Sequence, residues 1–151
     1  MKTLPLSVED QRALERLNAD FVWYLDNLRT DELVELFTED AFYRHGTRVS
    51  RGRDEIETLF RQRAASGDRV ARHFISGLRL DGLEDGTARG HSVVVTWAAN
   101  GAVPITGTEP WLVADFEDSY ARDSDDRWRI RRREITRIFV ACSNSGPLGG
   151  Q

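Results

Sequence analysis

The chain has 151 residues, a formal net charge of −4 and a single cysteine, Cys142. These values are typical of one globular domain; they exclude an intrachain disulfide and argue against binding of nucleic acid or another polyanion. No apolar run approaches the ~18 residues of a membrane span, and the opening MKTLPLSVED lacks the apolar core of a signal peptide. We therefore expect a cytoplasmic protein that does not contact a membrane.

The first half of the chain predicts helices. Ser7, with Asp10 three residues later, resembles a capping box, and apolar residues then recur at helical spacing: Leu14, Leu17, Phe21, Leu25 and Leu28. Ala19, Val22 and Trp23 add apolar surface on another side, so this helix should be enclosed, with Asp26 beside Val22 and Trp23. A short helix is predicted after Thr30, with Leu33, Leu36 and Phe37 on one face. A strand and turn over residues 41–52 and a third helix over residues 53–65 should follow.

The second half alternates like β-sheet. Strands are predicted over residues 70–80, 87–98, 109–122 and 127–140, with turns at DGLEDG, NGAVPITG and RDSDD. Helices followed by long antiparallel strands predict an α+β fold with the helices on one face of a curved sheet. A single domain should span residues 1–140, and the glycine-rich residues 141–151 should form a flexible tail.

Asp26 and His73 are the first candidates for chemistry. An aspartate in an apolar helix wall is costly unless it has a partner, and His73, in the segment VARHFISG, is a natural one. A carboxylate holds one imidazole tautomer and should raise the imidazole pKa from ~6.5 towards neutrality or above, giving a general base. On the residues alone, a solvated Asp26 and a backbone-bonded or exposed His73 are the more ordinary interpretation.

Four segments resemble the SnoaL-like branch of the NTF2-like superfamily: FVWYLDN, TDELVELFTEDAFY, GRDEI and RHF. Within that branch the chain is most similar to scytalone dehydratase and hexachlorocyclohexane dehydrochlorinase. The resemblance covers nearly the whole chain and implies a cone, in which a curved antiparallel sheet and three helices enclose a deep apolar pocket. In those enzymes an aspartate on the first helix orients a histidine that acts as the base. Asp26 and His73 occupy the matching positions.

Other site residues are suggested less directly. The resemblance implies a pocket-facing aromatic residue at Tyr43, which could donate a proton but could equally be a core residue. His45 has the same strand parity as Tyr43, so it faces either the pocket or a solvated turn.

The resemblance also implies a second pocket histidine near His91. However, His91 shares its parity with Val93, Val95 and Trp97, and the pocket face could instead carry Ser92, Val94 and Thr96. Tyr24 departs from the family pattern, which commonly has a small residue there.

The basic run over residues 127–137 also has two interpretations. One is an exposed or edge strand whose arginines pair with Asp115, Glu117 and Asp118. The other follows from the resemblance to the dehydrochlorinase, in which an arginine at the position of Arg133 assists the leaving group. Further pocket-wall candidates are Trp23, Phe42, Val94 and Phe139.

Together these features predict a cofactor-independent lyase, a dehydratase or related elimination enzyme acting on a small apolar, cyclic or aromatic molecule. His73 would remove a proton, Asp26 would orient it, and Tyr43 and Arg133 would assist the leaving group. No phosphate loop or zinc spacing is found, so we expect no metal and no cofactor. An isomerase would use the same parts. A different class, a non-catalytic binding or assembly domain like the β subunit of ring-hydroxylating dioxygenases, also fits. The resemblance implies a homo-oligomer, a trimer or a dimer.

Overall fold

A computed structural model describes residues 1–142, so most of the predicted tail at 141–151 lies outside the described residues. The helices are α1 (Val8–Asp26), α2 (Thr30–Val34) and α3 (Gly52–Ala64). The strands are β1 (Thr3–Leu4), β2 (Phe37–His45), β3 (Arg48–Arg51), β4 (Arg69–Leu83), β5 (Ala88–Asn100), β6 (Leu112–Arg122) and β7 (Trp128–Val140). Within residues 1–142, no helix combines the length and apolar character needed to cross a membrane.

One sheet contains all seven strands, in the order β1-β4-β5-β6-β7-β2-β3. Neighbouring strands are antiparallel, except that β2 runs parallel to β7. The predicted α+β fold, a curved sheet with three helices, is confirmed. Two details differ. Phe37, expected on the face of the second helix, begins β2 and pairs with Ile130. The ladder of β6 begins at Leu112, because Pro110 has no N–H to donate to a sheet.

Helix α1 packs its apolar face against the inner face of the sheet. Its first turn is capped by Ser7, whose hydroxyl accepts the backbone N–H of Asp10 at 3.0 Å. Phe21 is fully buried and meets three aromatic rings edge-on, those of Phe37, Phe60 and Phe116. The helix ends at Asp26, so Leu28 lies beyond it and is exposed. The end of α1 therefore places a carboxylate at the edge of the core.

Candidate active site

Asp26 and His73 are in direct contact. The Nδ1 atom of His73 lies 2.5 Å from Oδ1 of Asp26, and the backbone N–H of His73 donates to Oδ2 at 3.0 Å. The two side chains are only 7% and 8% exposed. An ionised carboxylate can only accept hydrogen bonds, so Nδ1 of His73 carries the hydrogen. The other ring nitrogen, Nε2, is then the basic atom.

Local structure explains this contact. Asp26 is the last residue of α1, and α1 lies across β4, which carries His73. On β4, His73 has the same parity as the buried Ala71 and faces the inside of the sheet. Because the ring and the backbone of His73 both bind the same carboxylate, the imidazole has little freedom to rotate. The geometry is that of a histidine held in one tautomer by an acidic partner.

His73 lines a small cavity inside the cone. Tyr43, His45 and Arg63 provide its other polar walls, and the remaining lining residues are Val94, Thr96, Trp111, Leu112, Ala114, Phe116 and Ile135. The free space is about 20 Å³, enough for about one water molecule. A substrate can therefore enter only if lining side chains move outward. The deep pocket expected from the resemblance is represented among residues 1–142 by this small cavity.

The pKa of His73 corrects the expectation from the sequence. Burial lowers the pKa of the imidazole, and although Asp26 raises it, the charges of Arg63 and Arg69 lower it further. The net shift is downward, not upward as the Asp26 partner alone would predict. His73 is therefore neutral at pH 7. A neutral imidazole with a free Nε2 is the form that can accept a proton.

Tyr43 and His45 lie on the same side of β2 and both reach the cavity, as their shared parity predicted. Tyr43 is buried, and burial raises the pKa of its phenol, so it keeps its proton at neutral pH. His45 accepts a hydrogen bond from Nε of Arg137 at 3.3 Å through its Nε2 atom. Burial and neighbouring cations, Arg137 foremost, lower the pKa of His45 to about 4, so it too is neutral.

Val94 lines the cavity, but His91 does not. His91 lies on the opposite face of β5, with Nε2 3.7 Å from Oδ2 of Asp115 and its side chain 45% exposed. Ser92, Val94 and Thr96 are buried, so they form the inner face that the sequence left as the alternative. The expected position of His91 in the pocket is therefore wrong, because its parity directs the side chain to the outer face of the sheet.

Four aromatic candidates also lie outside the cavity. Phe42 alternates with Tyr43, so its ring is on the other face of β2, between the guanidinium groups of Arg51 and Arg132. Trp23 is 52% exposed and packs edge-on against Tyr24 on a side of α1 away from the cavity lining. Phe139 is 69% exposed. A β-bulge near Ile138 changes the side to which β7 points, so Phe139 pairs with Val113 on the outer face.

Arg133 is fully buried but is not part of the cavity lining. Its guanidinium donates to both carboxylate oxygens of Asp118 at 2.7 Å and to Oδ1 of Asn18 at 2.6 Å. It also lies over the rings of Phe21 and Phe116, 4.3 and 4.7 Å from their centroids. The predicted ion pair with Asp118 is present, although in the core rather than on an exposed strand. This geometry gives Arg133 a structural role and corrects its assignment to the leaving group.

Two arginines near the Asp26–His73 pair, called the dyad below, were not predicted from the sequence. Arg63 lines the cavity, and Arg69 lies on the inner face of β4 two inward positions before His73. A signal was present for both. Arg63 follows the buried Ile56 and Phe60 at helical spacing, and Arg69 has the parity of His73.

Comparisons with known proteins agree with this architecture. A protein from Novosphingobium aromaticivorans DSM 12444 named provisionally as a scytalone dehydratase is 22% identical, with a TM-score of 0.78 over 95% of this chain and 96% of that one. An NTF2-like protein with a cystatin-like fold from the same species is 23% identical, with a TM-score of 0.71 over 89% and 86%. A protein from that species named provisionally as an aromatic ring hydroxylase is 18% identical, with a TM-score of 0.75 over 89% and 93%. A search of curated protein sequences gives no significant match.

The curved sheet, its three helices and these structural neighbours define an NTF2-like fold. A model of the SnoaL-like domain matches residues 6–134, and the chain therefore belongs to the SnoaL-like family. Members of this family are often enzymes, among them cyclases, dehydratases and isomerases.

Proposed function

We propose that this protein is a cofactor-independent lyase that eliminates water or another small leaving group from a small, largely apolar cyclic or aromatic molecule. The observation that carries the proposal is the contact between Asp26 and His73 at the wall of an internal cavity. Neutral His73 would take a proton from a carbon of the substrate through Nε2. Asp26 would hold the ring and stabilise the imidazolium that forms.

Tyr43 supplies the second group that an elimination needs. It lines the same cavity as His73 and is protonated at neutral pH. As the C–H electron pair forms the new double bond, the leaving hydroxide would receive a proton from the Tyr43 phenol and depart as water. The resulting charges on His73 and Tyr43 are neutralised when a proton returns from one to the other through solvent.

The test is turnover of a panel of β-hydroxy carbonyl compounds with apolar rings or chains. Elimination produces a conjugated double bond, seen by absorbance, and a product lighter by one water, seen by mass spectrometry. The rate should be level at neutral pH and fall only once the pH drops below the lowered pKa of His73, which lies under the ordinary imidazole value of ~6.5. A product of unchanged mass would favour an isomerase. A rate independent of pH down to ~4 would contradict a histidine base.

A second candidate function is a non-catalytic assembly domain, as in the β subunit of ring-hydroxylating dioxygenases. The structural likeness to the provisionally named aromatic ring hydroxylase favours it. The close contact between His73 and Asp26 favours the enzyme, because an assembly domain has no use for an oriented base. The panel distinguishes the two, since an assembly domain would turn over none of its members.

We also propose that the protein is a homo-oligomer, a trimer or a dimer. The outer face of the sheet exposes apolar side chains: Phe74 is 57% exposed and packs edge-on against Trp97, and Phe139 is 69% exposed beside Val113. A contiguous apolar patch on a folded protein commonly marks an interface.

Light scattering at micromolar concentration should therefore give two or three times the monomer mass. The variant Phe74→Arg places a charge in the patch and should give the monomer mass. Val8→Arg is the matched control, because Val8 is an even more exposed apolar residue and lies at the start of α1, outside the patch. A wild-type protein with the monomer mass would contradict this proposal.

A further inference from the structure

Arg69 carries a buried guanidinium that makes no hydrogen bond to the part of the chain that the structure describes. Its side chain starts from the inner face of β4, and the residue is only 9% exposed. All three guanidinium nitrogens, Nε, Nη1 and Nη2, are inaccessible to solvent, and none has a hydrogen-bond partner among the described residues. Guanidinium groups carry five N–H donors, and buried ones are normally paired with carboxylates or other acceptors. Within residues 1–142 the donors of Arg69 are therefore unused.

Arg63 is a second cation near Arg69. Arg63 lines the cavity that also contains His73, and its positive charge lowers the pKa of Arg69, which is not itself among the lining residues. Burial lowers the pKa of both arginines, that of Arg69 to about 9, so Arg69 remains charged at neutral pH. Guanidinium groups in proteins keep their proton, and Arg63 is a cation on that ground. Two like charges held together in a buried site are stable only if an anion lies near them.

The protein supplies little of that negative charge. Among residues 1–142, Asp26 is the carboxylate that raises the pKa of Arg63 and of Arg69. Both of its oxygens already accept hydrogen bonds from His73, one from the ring and one from the backbone. The cavity around the dyad thus has an excess of positive charge and a set of unused N–H donors.

We propose that Arg63 and Arg69 bind a carboxylate of the substrate. The substrate class would then be a small carboxylic acid with an apolar body, and this inference rests on the proposed function of the same cavity. Guanidinium groups bind carboxylates in a planar, often bidentate geometry, which fixes orientation as well as position. A β-hydroxy acid held in this way presents its α-C–H to His73. The α-proton passes to Nε2, the C–H electron pair becomes the double bond, and the β-hydroxide leaves as water with the Tyr43 proton.

The experiment compares two probes of nearly the same shape, benzoate and its neutral analogue benzamide, by calorimetric titration. Benzoate should bind the wild-type protein at least about tenfold more tightly than benzamide, because only benzoate can neutralise the two arginines. Arg69→Met should remove this preference and should not lower the thermal midpoint, since it removes an unpaired buried charge. Arg63→Gln should weaken benzoate binding independently. Arg79→Gln is the matched control, because Arg79 is an exposed arginine of the same strand.

Equal binding of the two probes to the wild-type protein would overturn the inference, as would absence of saturable benzoate binding or full benzoate preference in Arg69→Met. The proposed lyase activity fails separately. His73→Ala should keep the preference for benzoate, so benzoate binding without turnover of any acid would leave the anion site and reject the lyase. Turnover of neutral substrates in preference to acids would support the lyase and reject the anion site.

Discussion

Replacing His73 with alanine is expected to lower turnover about 10²–10⁴-fold, the contribution of a positioned general base. His73→Gln should lose as much, although glutamine keeps an N–H donor for Asp26 and so protects the fold. Asp26→Asn should also lower the rate strongly, because it removes the charge that stabilises the imidazolium. Rates and thermal midpoints of all three variants would be measured together on the acid or carbonyl compound identified from the panel.

The double variant of Asp26 and His73 is the sharper part of this prediction. Residues that act as one unit are not additive, so the double variant should be little slower than His73→Ala alone. His91→Ala is the control, because His91 is a histidine on the outer face of the sheet and should keep full activity. If His73→Ala and His91→Ala retain equal turnover, His73 is not the base. Additive losses from Asp26 and His73 would contradict a dyad.

Replacing Arg133 with methionine is expected to lower the free energy of unfolding by about 3–5 kcal/mol. The reason is that Asp118, whose side chain is fully buried, would lose its bidentate partner and remain as an uncompensated charge. Adding Asp118→Asn to this variant should recover part of the loss, because the buried group is then neutral. Urea unfolding measures each difference.

Arg44→Met provides the comparison for Arg133→Met. Arg44 on β2 pairs with Glu134 on β7, the strand that also carries Arg133, but the Arg44 side chain is 44% exposed. Exposed ion pairs contribute about 0–1 kcal/mol, so this variant should lose at most that amount. Equal, small losses in Arg44→Met and Arg133→Met would show that the buried pair does not hold the core together.

The dyad could be predicted from the sequence because both of its members carry local signals. Asp26 ends an otherwise apolar helix wall, and His73 stands in the RHF segment of the family resemblance. The shared parity of Tyr43 and His45 followed from the two-residue period of a strand, although the sequence left a solvated turn open for His45. The α+β class followed from the order of helical and alternating segments. These signals each depend on neighbours in the chain.

The remaining site could not be predicted, because it depends on contacts distant in sequence. Period two shows that His91 and Val94 point to opposite faces but not which face is inside. The bulge in β7 that turns Phe139 outward arises from its pairing with β6. Arg133 could be paired with Asp118 from their charges, but its burial among Phe21, Phe116 and Asn18 depends on how α1 covers the sheet.

The pKa of His73 was predicted in the wrong direction for a related reason. A carboxylate partner can be inferred from the sequence, and its effect on the imidazole is upward. The degree of burial and the presence of Arg63 and Arg69 near the ring depend on the closed cone, and both effects are downward. Which of these opposing effects on the His73 pKa prevails therefore depends on the folded cavity.

The state of His73 can be measured directly, without a substrate, by ¹⁵N NMR of the imidazole nitrogens during a pH titration. The chain has three histidines, so the His45→Gln and His91→Gln variants assign the signals. A base held by Asp26 should appear at pH 7 as a neutral ring with the hydrogen on Nδ1 and a pKa below ~6.5. In Asp26→Asn the fixed Nδ1–H tautomer should be lost. A His73 ring that is charged at pH 7, or that carries its hydrogen on Nε2, would contradict this assignment.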